Sequence, residues 1–363
     1  MRTSRITSSP VLFVLLLACA LLLGPTRAHA ICVQAGDTQS LLGSLSGALD
    51  ADSPPVTIKL ERGTYVLQSS VAFDDLHPDV RVQGGYVPGT NCDENQRGHD
   101  ANQTKVLLNN QSYLSLINSA GGLIRLESLS VDSESVEGGQ GVLILGEIIQ
   151  LVAVRFAHQY SPDPVDIGGA YGYDIARGSL TMSDVQFDHL KNPGACSVTI
   201  DLNGQRYVEI NHATIDLAGG DWCLDAGFED GSKHVSIWNS ILWDSSNAGR
   251  VARTVHDFDD DPIAIELNGV DFTDVLISPD DQLTLNPNYP SLHADPLWTN
   301  PAAGDLSLGG GPTLPSSTME PSDRPTASPS STYSVEIARS EVLQILVLRN
   351  QPTMTTRAEA PSL

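Results

Sequence analysis

Apolar and polar residues alternate along "VSIWNSIL", Val235 to Leu242, break at a two-residue polar corner, and then alternate again. Written as apolar, x, apolar, x, x, small or apolar, x, apolar, the same eight-residue template recurs in "IRLESLSV" from Ile124, "IQLVAVRF" from Ile149, "LTMSDVQF" from Leu180, "VEINHATI" from Val208 and "IELNGVDF" from Ile265. The starts lie 25 to 31 residues apart. A period of that size in a strand-patterned chain marks a solenoid. Alternation on both sides of the corner predicts two short strands that keep one inward face through a bend.

Stacking such coils at the strand spacing of about 4.8 Å lets each backbone bond to the next. It also lines up the third template position, Leu126, Leu151, Met182, Ile210, Ile237 and Leu267, as an interior column. The pattern therefore predicts an all-β fold, a single-stranded parallel β-helix, and the handedness of parallel crossovers makes it right-handed. A β-sandwich of antiparallel hairpins would show turn signals every 8 to 12 residues or so, a much shorter interval than the one seen here. Upstream, "SLLGSLSGALDADSPPVTIKLERGTYVL" reads as a short amphipathic helix, a strand, a turn at Arg62-Gly63 and a second strand. This segment is expected to cap the open first coil, whose unpaired edge would otherwise template aggregation.

Composition then fixes a compartment. Arg2 and Arg5 precede the apolar run Val11 to Leu23, and Ala-His-Ala at 28–30 has the small-x-small form of a cleavage site. Residues 1–30 are thus expected to be a signal peptide, 31–308 the β-helix domain and 309–363 a Pro/Ser-rich disordered tail. Export leads to a secreted, periplasmic or cell-surface protein, with no transmembrane segment once the signal is removed. Loss of Arg2, Arg5 and Arg27 takes the net charge from -24 to -27. Such a surface repels nucleic acid and anionic membranes, and repels an anionic polysaccharide unless Ca2+ bridges the two.

Four cysteines remain after Cys19 leaves with the signal. Cys196 and Cys223 each lie 12 residues before a rung, so they are expected at the same place in adjacent coils, close enough for a disulfide. Cys32 and Cys92 then pair by elimination and pin the start of the mature chain to the first coils.

Three stretches, "TIKLERGTYVL" at 57–67, "WNSILW" at 238–243 and "ADPLWTNPAAGDLSL" at 294–308, resemble extracellular right-handed β-helix proteins of the pectin-lyase-like superfamily, above all bacterial ones with a choice-of-anchor C-terminal region. The resemblance spans roughly residues 40–308 and implies a fold more than a chemistry. After Leu308 the chain departs from the Gly-Ser-Pro-Ala-Ile-Asp element usual in such proteins. A reading-frame slip in the Gly309–Gly311 run would account for this, because an offset reading of codons assumed for Ser316–Pro321 spells Val-Asp-Asn-Gly-Ala. Resequencing the locus tests it.

A hydrolase of this superfamily would carry Asn-Thr-Asp, Asp-Asp, Gly-His-Gly and Arg-Ile-Lys motifs, and the full set is absent. A lyase would need clustered carboxylates for Ca2+ and an Arg or Lys base. The candidates are Lys233, Arg250 and Arg253 as base, with His234 and His256 nearby, and Asp257, Asp259, Asp260 and Asp261 as Ca2+ ligands. In a chain with 44 acids the plainer reading of that acidic run is a solvated loop. Trp222, Trp238 and Trp243 suggest either a sugar platform or packing, and Asn211 and Asn239 fall at or beside the corner as backbone caps. His158, His189 and His212 share no coil position, which gives no transition-metal pattern. The sequence therefore predicts an exported solenoid with a structural, adhesive or glycan-binding role, no recognisable catalytic set and no cofactor unless Ca2+. Its expected partner is a polysaccharide or a cell-surface protein. The alternative is a divergent polysaccharide lyase or glycoside hydrolase.

Overall fold

The structure, a computed structural model, describes residues 29–50, 54–76, 79–109, 112–133, 141–157, 165–168, 178–188, 196–202, 205–216, 221–225, 233–243, 252–255, 262–272, 275–276, 281–289, 298–300 and 305–308. Of the predicted signal segment 1–30, residues 1–28 lie outside the described residues, as does the tail from 309, whereas His29 and Ala30 open the first strand and pair with Val56 and Thr57.

The chain winds as a parallel β-solenoid with three faces. The first face carries the opening half of each rung. It runs through His29–Val33, Val56–Glu61, Val80–Tyr86, the central parts of Tyr113–Asp132 and Gly141–Ala157, then Gly178–Ser183, Gln205–Asn211, Lys233–Trp238, Ile263–Asn268 and Gln282–Leu285. The second face holds the half that follows the corner, including Gln186–Asp188, Thr214–Asp216 and Ile241–Trp243. The third includes Val165–Gly168, Cys196–Asp201, Asp221–Asp225 and Ala252–Val255.

The predicted interior column is present in register. Leu126 pairs with Leu151, Leu151 with Met182, Met182 with Ile210, Ile210 with Ile237 and Ile237 with Leu267. All six are buried. The first template position stacks likewise from Ile124 to Ile265. Each inward residue thus meets two like neighbours, and burying a side chain of this size is worth about 1.5–3 kcal/mol. At the last template position Phe156 and Phe187 stack at 5.1 Å inside the second face.

The corner has one conformation in the six template rungs. Its second residue, Ser128, Ala153, Asp184, His212, Asn239 or Gly269, sits at a φ between 47° and 64° in every rung. That left-handed geometry costs an L-residue about 1–2 kcal/mol. Hydrogen bonds between coils offset the cost, since the amides of Asp184, His212 and Asn239 donate to the carbonyls of Asn211, Trp238 and Asn268.

The N-terminal segment differs in part from expectation. The helix Thr38–Ser46 is present, capped by Asp37, which accepts from the Ser40 amide at 3.0 Å, and it buries Leu41 and Leu45 over the end of the interior. Beneath it lies a wholly apolar cavity of about 30 Å³, lined in part by Leu41, Leu45, Leu67 and Leu126. The two strands around Arg62-Gly63, however, form a full coil, because Val56–Glu61 pairs with Val80–Tyr86 and Gly63–Leu67 with Thr104–Leu108.

Both disulfides form as paired from the sequence. The register behind one of them differs. Cys223 pairs across the ladder with Thr199 and Cys196 with Asp221, since the register shifts between Cys196 and Val198. The equal 12-residue offsets conceal a bulge in one coil and a longer connection in the other, and the bond crosses diagonally at a Cα separation of 5.6 Å. Among the described residues the last strand joined to the solenoid is Gln282–Leu285; Trp298–Asn300 and Asp305–Leu308 pair with each other, antiparallel.

Candidate functional site

Outward side chains of the first face fall into two groups. The first occupies the early coils and is roofed. Between Val80–Tyr86 and Thr104–Leu108 the chain inserts a long connection that the Cys32–Cys92 bond ties down. It lies close on the sheet because Gly85, at φ +90°, faces Gly98; a Cβ there would meet the Gly98 carbonyl at 2.0 Å.

Between this roof and the sheet the charges satisfy one another. Lys59 pairs with Glu94 at 2.6 Å, and the Tyr86 hydroxyl donates to Glu94 at 2.8 Å. Arg97 reaches over the Tyr86 ring to Glu127 at 2.8 Å, and Arg125 meets the same carboxylate at 3.0 Å. Gln83 donates to it as well. Burial alone would push the Glu127 carboxyl up, but Arg97, Gln83 and Arg125 outweigh it and hold the group below the ordinary glutamate range. Burial, helped by Glu94, pushes the Tyr86 hydroxyl well up. Every one of these groups faces another protein group, so although Glu94 keeps 58% of its side chain exposed, the charges complete the protein's own network.

The second group is open. On successive strands Tyr207 aligns with His234, Glu209 with Ser236 and then Glu266, and Asn211 with Trp238 and then Asn268. Tyr207 is 43% exposed and stacks on His234 with centroids 5.9 Å apart. Its hydroxyl donates to Glu209 at 3.4 Å, while His234 lies 3.9 Å from Glu266. Burial, then the charge and hydrogen bond of Glu209 and the charge of Glu266, push the Tyr207 hydroxyl up. Trp238 bends back along its strand, its Nε1 donating to Ser236 Oγ at 2.7 Å, and Tyr289 rests edge-on against the indole. Tyr289 is itself 50% exposed. Next to Trp238, Asn268 is fully buried, and neither atom of its side-chain amide is hydrogen-bonded among the described residues. The result is an aromatic strip with a carboxylate on either side of an indole.

The residues singled out from the sequence meet varied fates. Lys233 and His234 are strand residues paired with Ile263 and Ala264 rather than loop residues; Lys233 is buried, so its ammonium does not stand on the open face. The Arg253 backbone pairs with Cys223, but its side chain lies outside the described residues. Arg250, His256, Asp257, Asp259, Asp260, Asp261, His158 and His189 also lie outside them. Trp222 is wholly buried core, whereas Trp238 belongs to the open strip and Trp243 is half-buried at the end of its strand. Asn239 donates to Asn211 at 3.3 Å, so these corner residues bond to each other along the stack. His212 sits at a corner, 3.5 Å from Asp184. No group of three metal-ligating side chains occurs among the described residues.

Tyr207, Glu209, Glu266 and Tyr289 were not among the predicted site residues. A signal existed for the first three, because the outward template positions of consecutive rungs must stack as surely as the inward ones do. Comparison of the chain with protein-family models, curated proteins and solved structures finds no match. The fold is established as a parallel β-solenoid, and the narrower family resemblance rests on its three sequence stretches alone.

Proposed function

We propose that the protein is an exported binding scaffold that docks an extracellular glycan along the open half of its first face, without turning it over. The observation that carries this reading is the strip of exposed Tyr207 and Tyr289 and half-buried His234 and Trp238, with Glu209 and Glu266 among the rings. Aromatic side chains offer an apolar surface with a polar handle, which suits a ligand that is apolar on its ring faces and hydroxylated at its rim. The strip lies on a rigid ladder, so little ordering is needed to bind an extended chain. Export is supported by the signal-like residues 1–30 and by the two disulfides, which persist in oxidising compartments. No described helix is long and apolar enough to cross a membrane.

The test is affinity electrophoresis of the full mature chain against neutral, acidic and amine-bearing polysaccharides, with and without Ca2+, while unsaturated-uronate absorbance and new reducing ends are followed. The expected outcome is retarded migration on at least one glycan, abolished by Trp238→Ala, with no product formed. Turnover lost in Lys233→Ala, Arg250→Ala or Arg253→Ala would replace this reading with a polysaccharide lyase.

A further inference from the structure

We infer that the strip takes an extended β-1,4-linked glycan bearing free amines, with one sugar per strand and an ammonium against each of Glu209 and Glu266. The inference rests on the glycan-docking reading above and adds the ligand's chemistry. Three observations lead to it.

The first is sign. At the outward positions Tyr207, Glu209, Asn211, His234, Ser236, Trp238, Ala264, Glu266 and Asn268 of the three first-face strands, the carboxylates of Glu209 and Glu266 are the formal charges and no lysine or arginine is among them. The whole chain carries a net charge of -24. Such a field gathers cations and repels uronates.

The second is spacing. Glu209 aligns with Ser236 and Ser236 with Glu266, so the two carboxylates stand two strands apart, about 10 Å at the usual strand spacing. In a β-1,4-linked ribbon each sugar is turned over relative to the last, so a given substituent returns to the same side on every second sugar. The ribbon's advance per sugar is comparable to the strand spacing, and both repeats therefore keep step. A single Ca2+ does not fit the same pair, since its ligands must all lie about 2.3–2.6 Å from the ion.

The third is what separates the carboxylates. Trp238 covers Ser236, leaving that residue only 3% exposed, so the middle of the strip is an indole and not a polar group. This matches the intervening sugar, whose amine points away and whose ring needs an apolar support. Tyr207 and His234 form a rail beside it.

The experiment is titration calorimetry of the full mature chain at low salt with three hexamers: β-1,4-linked glucosamine, its N-acetylated counterpart and β-1,4-linked glucose. Glucosamine is expected to bind about tenfold or more tightly than the other two, with an affinity that falls as salt is added. The double variant Glu209→Gln/Glu266→Gln is expected to remove that preference and its salt dependence while leaving the unfolding midpoint in place. Trp238→Ala is expected to weaken all three ligands. Equal affinity for the amine and acetylated hexamers, or undiminished glucosamine binding by the double variant, overturns the amine assignment. If no hexamer binds but the wider screen finds a glycan sensitive to Trp238→Ala, the amine assignment fails and the docking reading survives. Absence of any glycan ligand sinks both.

Discussion

The two halves of the first face share one ladder, one corner and one interior column, yet they present opposite surfaces. In the early coils Arg97 reaches down from the inserted connection to Glu127, which Arg125 also meets, and Arg97 and Glu127 expose only 8% and 9% of their side chains. In the later coils Tyr207 and Tyr289 stand 43% and 50% exposed, with nothing described above them. Charged residues at outward positions are therefore poor markers of a site by themselves. Where they are roofed they complete the protein's own network; where aromatic residues are left bare, the surface has capacity to spare for a partner. The roof of the early half is one insertion between Tyr86 and Thr104.

Stability separates the two halves most directly. Arg97→Ala should cost about 3 kcal/mol, at the low end for a broken buried ion pair because Arg125 and Gln83 still serve Glu127. Urea unfolding of the variant measures it. A loss under about 1 kcal/mol, the value expected of an exposed pair, would show that the roof leaves the network in contact with water.

Acid should act on the same half. The folded Glu127 carboxyl lies below its ordinary value, so it contributes stability that is fully present above the unfolded glutamate pKa and is lost as the pH falls through the lower folded value. For Glu94 burial also pushes upward and is outweighed, with Lys59 and Tyr86 holding the group down, which adds to the effect in the same direction. The unfolding midpoint should hold steady above about pH 4.3, the unfolded glutamate value, and decline beneath it. Glu127→Gln should flatten that decline, whereas Glu266→Gln on the open half should not. Identical pH profiles for the two variants would remove the electrostatic distinction between the halves.

Much of the solenoid was legible because its signal is a repeat. The apolar positions of six rungs name their own stacking partners, and the polar corner marks the bend at which Asn239 and Gly269 adopt the left-handed conformation. The first coils were harder to read. Around Arg62 the corner has a different composition, and the rung Val80–Tyr86 is cut off from its second-face strand by the insertion, so the template does not match there. The roof network was not legible at all, since Arg97 meets Glu127 through a non-repeating connection whose path depends on Gly85, Gly98 and Cys92 together. The open strip lies between these extremes. Its partners are in register, but its outward positions mix aromatic, acidic and amide residues, which form no repeating sequence signal as the inward apolar columns do.

The smallest expected effect bears most on function. Tyr207→Ala should change folding stability by no more than about 0.5 kcal/mol, the range for surface substitutions, because the ring is 43% exposed and its hydrogen bond to Glu209 is long, at 3.4 Å. Trp238→Ala should cost somewhat more, since the indole covers Ser236 and touches Tyr289. Thermal unfolding of both variants beside Arg97→Ala would place the two halves on one scale. If the Tyr207 variant unfolds as readily as the Arg97 variant, the stacked rings are a structural ladder like the interior column, and the open half has no surplus surface to offer a ligand. If it unfolds with the wild type, the rings contribute little to holding the coils together, and their exposure on a rigid face is then best explained by what binds there.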